Sequence, residues 1–302
     1  MSIEINNLTK IYSKQKAVNE ISFSIGSGEV VGFLGPNGAG KSTTMKIISC
    51  FIPQTSGEVK VCGYDVMTES IEVRKNIGYL PENNPLYLDM YVKEYLRFIG
   101  RFYKLNGNLK SKVEEMIEVT GLVPEMKKKI GALSKGFRQR VGLAQALIHD
   151  PKVIILDEPT SGLDPNQIVE IRELIKTLGK KKTVMLSTHI MQEVQAICDR
   201  VIIINNGEIV ADDTTENIKE KGGSVVTVVI EFKESPVKEK IEKVNYVNSV
   251  KELGNNKWLV QTDNETEAKA SLFEFAKNND LVLLSMEKKD SNLEDVFQQL
   301  TK

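Results

Sequence analysis

The sequence predicts an α/β protein, with an antiparallel sheet at the N-terminus, a parallel core sheet, a helical segment near the middle and a small α+β domain at the C-terminus. Three observations carry this expectation. Short runs that are apolar throughout, Val30 to Leu34, Val153 to Leu156 and Val184 to Leu186, each pass into a polar or glycine-rich turn, as strands buried on both faces do. Between the first two runs the apolar residues switch to a helical period. Beyond about residue 222 the segments follow the order β-α-β-β-α-β, the split βαβ arrangement.

Taken in order, Ile3 and Ile5, then Ile21, Phe23 and Ile25, alternate with polar residues, the period of half-buried strands, and Val59 and Val61 continue it. Val92, Tyr95, Leu96, Ile99, Phe102 and Tyr103 recur at spacings of three and four and line one helix face, either as core packing or in part as a docking face. A second helix, with Val113, Met116 and Ile117 on one side, should stop near Gly121. Residues 83 to 150 are expected to be mostly helical. Asn206-Gly207, between Val201 to Ile204 and Glu208 to Val210, signals a hairpin, because both residues tolerate positive φ. The Gly222-Gly223 pair suggests a first domain over 1–222 and a second over 223–302. In the second, strands are expected at 224–233, 247–252, 257–262 and 281–287. Helices are expected from Pro236, over 265–277 and from Leu293 to Leu300, the last capped by Ser291 or Asn292.

Composition narrows the function classes. The 302 residues suffice for one large and one small domain, and 40 basic against 41 acidic residues give a net charge of −1. That balance gives no reason to expect a nucleic-acid partner or a polybasic membrane surface. Three scattered cysteines, Cys50, Cys62 and Cys198, form neither a disulfide framework nor a metal motif and fit a reducing cytosol. No apolar run approaches the roughly 18 to 20 residues of a spanning helix, and MSIEINNLTK lacks the regions of a signal peptide. Any membrane contact is therefore expected through another chain.

Gly35-Pro36-Asn37-Gly38-Ala39-Gly40-Lys41-Ser42-Thr43 follows a buried strand and precedes a stretch able to open a helix, the context of a phosphate-binding loop. The glycines let backbone N–H groups approach phosphate oxygens, Lys41 can meet the terminal phosphates, and the Ser42 hydroxyl can ligate Mg²⁺. Val153 to Leu156 then delivers Asp157 and Glu158 at a strand end, where parallel sheets expose their ligand crevice. One carboxylate can hold hydrated Mg²⁺ and the next can polarise a water. These features alone leave a kinase, a GTPase and a motor open.

Leu133-Ser-Lys-Gly-Phe-Arg-Gln-Arg-Val141 narrows the choice. Ser134 is a natural N-cap, and the helix it opens would turn its positive end toward an anion. The segment resembles the signature of ABC transporter ATP-binding cassettes, Leu-Ser-Gly-Gly-Gln, with Ser134 and Gly136 matching. The resemblance runs over about residues 1–220. It implies that Tyr12 stacks on adenine with Val18 beside the sugar, that Ser161-Gly-Leu-Asp164 couples two subunits, and that His189, in Ser-Thr-His, contacts the γ-phosphate. ATP and Mg²⁺ are the implied ligands. The implied assembly is a head-to-tail pair, each nucleotide lying between one copy's Gly35–Thr43 loop and the other's Ser134 and Gly136. Glu158 would orient water, and His189 and Lys41 would stabilise charge on the transferred phosphoryl group.

Two positions depart from the family pattern. Glu82 stands where glutamine is usual, keeping an oxygen for Mg²⁺ but adding charge beside Asp157 and Glu158, and Phe137 replaces the signature glutamine. The tail Asn292 to Leu300 resembles single-cassette chains whose membrane subunits are separate, mostly exporters, which implies a cytoplasmic protein held at the membrane by a permease. Glu82 to Leu96 is similar to the ATP-binding subunit associated with gliding motility in gliding bacteria. A soluble cassette ATPase acting on ribosomes or DNA, and a module that senses ATP without turnover, are the rival readings. A single phosphate loop without sustained heptads speaks against the first, and retained Glu158 and His189 against the second.

Overall fold

The computed structural model describes residues 1–105, 107–221, 226–234, 236, 238–289, 296–297 and 300–301. The chain divides into two compact units, Met1–Thr215 and Glu216–Leu300. The first runs β1 (Ile3–Tyr12), β2 (Gln15–Ile25), β3 (Val30–Leu34), α1 (Lys41–Ile48), β4 (Ser56–Val61), β5 (Tyr64–Asp65), α2 (Ser70–Asn76) and β6 (Ile77–Leu80). It continues through α3 (Val92–Phe102), α4 (Leu109–Val119), α5 (Lys135–Leu147), β7 (Val153–Asp157), α6 (Pro165–Gly179), β8 (Thr183–Thr188), α7 (Met191–Ile197), β9 (Arg200–Asn205) and β10 (Glu208–Thr214). Helix α8 (Thr215–Lys221) begins at the division.

Two sheets build this unit. The antiparallel one has the order β2-β1-β4-β5, and the other the order β10-β9-β3-β8-β7-β6, parallel except for the β9–β10 hairpin. The hairpin turns at Asn206 and Gly207 with φ of 49° and 82°, the mirror-image turn that their sequence favours. Every residue of β3, β7 and β8 is buried, which explains why these strands read as continuous apolar runs. The core between the sheets gathers Ile3, Ile5, Phe33, Met45, Ile47 and Ile155, with Phe23 and Phe33 rings 5.7 Å apart. Emptying one such site, as in Phe33→Ala, costs about 3–5 kcal/mol by core precedent.

Helices α3, α4 and α5 occupy the segment expected to be helical. Helix α4 ends before Gly121, whose φ of 68° closes it. The stripe on α3 divides in two. Val92, Tyr95 and Leu96 are buried, whereas Phe102 is 77 % exposed and Tyr103, already past the last turn, stacks on His149.

The second unit contains β11 (Val226–Phe232), α9 (Lys238–Ile241), β12 (Ser249–Gly254), β13 (Lys257–Thr262), α10 (Glu265–Asn278) and β14 (Leu283–Lys289). Its sheet order is β12-β13-β11-β14, every pair antiparallel, so β13 separates the two strands of the β11-α9-β12 unit. This is the expected split βαβ topology. Val228, Ile230, Phe232, Val260 and Leu272 pack with Trp258, which is 2 % exposed and whose indole N–H has no hydrogen-bond partner among the described residues. Val296, Phe297 and Leu300 are helical, while the expected cap at Ser291 or Asn292, and the Gly222-Gly223 boundary, lie outside the described residues.

Candidate functional site

The parallel register brings three strand ends together. Leu34 at the end of β3 pairs with Thr188 of β8, and Asp157 of β7 pairs with Ser187, so the turns after β3, β7 and β8 leave one edge of the sheet. The turn after β3 is Gly35 to Gly40. A side chain at Gly35 would collide with the Ile204 carbonyl, and at Gly40, where φ is 113°, a Cβ would sit 2.6 Å from the Ala17 carbonyl oxygen. Only glycine allows the chain to pass this close and turn into α1.

Lys41, the first residue of α1, folds back and donates to the carbonyls of Gly35 at 2.7 Å and Pro36 at 3.1 Å. Burial lowers its pKa, against the opposing pull of Glu158, Asp157 and Glu82. The Ser42 hydroxyl donates to Asp157 Oδ1 at 3.1 Å, and Ser187 donates to the same oxygen at 2.6 Å. The Ser187 oxygen in turn accepts the Glu158 backbone N–H at 3.0 Å. These partners satisfy an acceptor that is only 2 % exposed, as a buried polar group requires.

Glu158 has a φ of 50°, a left-handed conformation that non-glycine residues adopt at a cost of about 1–3 kcal/mol and that concentrates at functional sites. Its carboxylate lies 3.0 and 3.1 Å from His189 Nδ1, so with the carboxylate ionised Nδ1 carries the proton. Burial raises the Glu158 pKa, opposed by His189 and Lys41. Glu158, His189, Lys41, Ser42, Thr43, Asn37, Gly38, Gly40 and Glu82 line one cleft of about 410 Å³ together with Ala17 and Ser161. Glu82 also borders a neighbouring cleft of about 380 Å³ that contains Ser42 and Asp157.

Other expected residues lie apart from this cleft. Tyr12, 46 % exposed at the end of β1 with the Lys10 ammonium 5.1 Å from its ring centre, is not among the lining residues. Val18 is wholly buried in the core, and the neighbouring Ala17 provides the surface instead. Ala39 is buried as well. Ser134 caps α5 by accepting the Phe137 N–H at 3.4 Å, and the Gln167 carboxamide covers Gly136, but neither Ser134 nor Gly136 lines the cleft of its own chain. Asp164 caps α6 through the Gln167 N–H at 3.0 Å. Ser187 is a site residue that the sequence did not single out, although it opens the Ser-Thr-His motif.

For Mg²⁺ the donor set is suitable. A hydroxyl and a carboxylate oxygen stand side by side at Ser42 and Asp157 with Glu82 nearby, and a hard cation that keeps several waters takes one or two such ligands plus phosphate.

Residues 18–161 match the family model described as ABC transporter. The linearmycin resistance ATP-binding protein LnrL of Bacillus subtilis (strain 168) is 35 % identical over 99 % of this chain and 98 % of its own length. The chain belongs to the ABC transporter family as an ATP-binding subunit. The bacitracin transport ATP-binding protein BcrA of Bacillus licheniformis is 36 % identical over 72 % of each chain. Among solved structures, the dimeric post-hydrolysis state of the ATP-binding cassette MJ0796 bound to ADP and Pi is similar at a TM-score of 0.65 and 28 % identity, covering 70 % of this chain and 98 % of that one. As an ABC ATPase, this subunit splits ATP with water into ADP and phosphate in a reaction coupled to transport.

Proposed function

We propose that the chain is the ATP-hydrolysing subunit of an exporter, working as a head-to-tail pair that drives a separate membrane-spanning permease from the cytoplasmic side. The observation that carries this reading is the division of the expected site. Asn37, Gly38 and Gly40 to Thr43 of the loop share one cleft with Glu158 and His189, while Ser134 and Gly136 lie outside it on the capped end of α5. A second copy would complete the cleft with that helix end.

In this mechanism the triphosphate lies along Gly35 to Thr43, and Lys41 exchanges its two carbonyl partners for terminal phosphate oxygens. Tyr12 offers its exposed ring to adenine, and Val18 supports the wall behind it from the core. Ser42, Asp157 and Glu82 would hold Mg²⁺, which supplies neutralising charge on the phosphates. Glu158 orients the attacking water and takes its proton. His189, held by its Nδ1 bond to Glu158, and Lys41 stabilise the charge that develops on the transferred phosphoryl group. ATP closes the pair and hydrolysis reopens it. The stroke reaches the permease through the segment after Glu82, where Tyr87 rests edge-on against Tyr95 and Phe98 and leaves 60 % of its surface exposed.

Names such as bacitracin transport and Nod factor export among the relatives support an export role. A role in gliding motility rests on the likeness of Glu82 to Leu96 alone, and co-purification of the attached permease from solubilised membranes would decide it. The shared site is tested with mixed dimers. Lys41→Ala in one copy and Ser134→Arg in the other concentrate both defects at one composite site, whereas both changes in one copy damage both sites and should leave much less hydrolysis. Equal activity in the two arrangements, with dimerisation verified, refutes completion by the second copy.

A further inference from the structure

Helices α6 and α7 meet at a buried carboxylate that the mechanism leaves without a task. Glu193, in the first turn of α7, is completely buried. Its Oε2 accepts a hydrogen bond of 2.8 Å from the Thr188 hydroxyl. Among the described residues its Oε1 has no hydrogen-bond partner, and Arg172 Nη2 of α6 lies 3.7 Å away. Thr188 is also completely buried, and its hydroxyl oxygen accepts the backbone N–H of Ile190 at 3.1 Å.

Thr188 and Ile190 are the residues on either side of His189. The single hydroxyl therefore ties the incoming and outgoing backbone of the histidine together, and Glu193 fixes the direction in which that hydroxyl donates. An acid in the first turn of a helix gains from the helix dipole even when it faces water. That gain does not require burial, and a buried carboxylate is costly unless hydrogen bonds and a counter-charge offset its desolvation, roles that here fall to Thr188 and Arg172. The remaining carboxylate oxygen faces Arg172, and α6, which carries Arg172, opens at Asp164 immediately after Ser161 to Leu163. One connected path thus leads from the Ser161–Asp164 loop through α6, Arg172, Glu193 and Thr188 to His189 and Glu158.

We infer that Glu193 is a positioning residue for His189, holding the imidazole against Glu158 through the Thr188 hydroxyl, and that Arg172 links this hold to the loop that opens α6. The inference rests on the reading of His189 as the group that stabilises transferred phosphate. It implies that a shift of the Ser161–Asp164 loop, as when a second copy approaches, reaches His189 from within the same chain.

The chain has two histidines, His149 and His189, so ¹⁵N-histidine NMR of the full-length protein resolves both imidazoles. In Thr188→Val, which keeps the volume and removes the hydroxyl, and in Glu193→Gln, which keeps an acceptor and removes the charge, the His189 Nδ1 signal should move toward its position in Glu158→Ala, while the His149 signal stays in place. Turnover in ATP and Mg²⁺ should fall by up to about 10²-fold, the scale set by small misplacements of a reacting group, while affinity for a fluorescent ATP analogue changes less than about twofold. Arg172→Met should give the same shift in part. An unmoved His189 signal in both Thr188→Val and Glu193→Gln overturns the inference, whatever their turnover. Parental turnover in His189→Ala instead overturns the role given to His189 itself, and the NMR result still decides whether Glu193 positions it.

Discussion

Lowering the pH from about 7.5 to about 5 should cost the first unit about 2 kcal/mol through His149 alone. His149 stacks on Tyr103 with ring centres 3.9 Å apart and planes 3° from parallel. Its Nε2–H donates to the Ile77 carbonyl at 2.9 Å, and its buried Nδ1 has no partner among the described residues. A proton on Nδ1 would place a charge and an unsatisfied donor in that space, and burial lowers the pKa from 6.5 to about 4. The folded state therefore resists a proton that the unfolded chain accepts. Stability from this group is complete above pH 6.5 and is lost progressively as the pH falls toward about 4, where the loss reaches about 3 kcal/mol. Urea unfolding followed by circular dichroism, across this pH range, measures the loss. His149→Phe keeps the stack on Tyr103 and carries no titrating group. Its missing bond to Ile77 lowers stability by about 1 kcal/mol at every pH, so the acid-dependent difference from the parent isolates the imidazole. Parallel pH curves for parent and His149→Phe would refute the reasoning.

Three further outcomes concern the cleft. Lys41→Ala removes the ammonium that now bonds to Gly35 and Pro36, and turnover should fall by about 10²- to 10³-fold, measured as phosphate release. Glu158→Gln preserves the shape beside His189 but removes the carboxylate, so labelled ATP should remain bound unhydrolysed, and ADP release at the parental rate would move the water-orienting role elsewhere. For Glu82→Gln, Mg²⁺ titration at fixed ATP distinguishes two effects. Tighter binding marks Glu82 as a repelling charge and weaker binding marks it as a ligand, while an unchanged midpoint makes it a bystander.

The elements that sequence made legible are those governed by local rules. β3, β7 and β8 show as apolar runs because both faces of each strand are covered, and the phosphate loop shows because Gly35 and Gly40 are fixed by close approaches to Ile204 and Ala17 and Gly38 by its positive φ. Ser134 is legible as a cap because capping depends on neighbours three residues away. Ser187 was hidden for the opposite reason. A serine within a buried strand gives no sign of which residue lies across the ladder, and its partner Asp157 is thirty positions away in sequence. Val18 shows a related ambiguity, since a small apolar residue can form either a site's surface or the core beneath it, and here it lies in the core. The stripe on α3 reads as one face, yet helical spacing cannot reveal how far along the helix that face is covered, and Phe102 at its end is exposed.

Trp258, enclosed in the second unit, is the chain's single tryptophan. Light absorbed at the red edge of the protein spectrum is therefore taken up there, and its emission reports whether that small sheet is intact, with no native indole at the nucleotide cleft. The C-terminal unit thus carries a built-in optical probe of its own unfolding. A second indole at the half-exposed position of Tyr12, where the proposed mechanism stacks adenine, would report the first unit separately, free of Trp258 once that residue is replaced by phenylalanine.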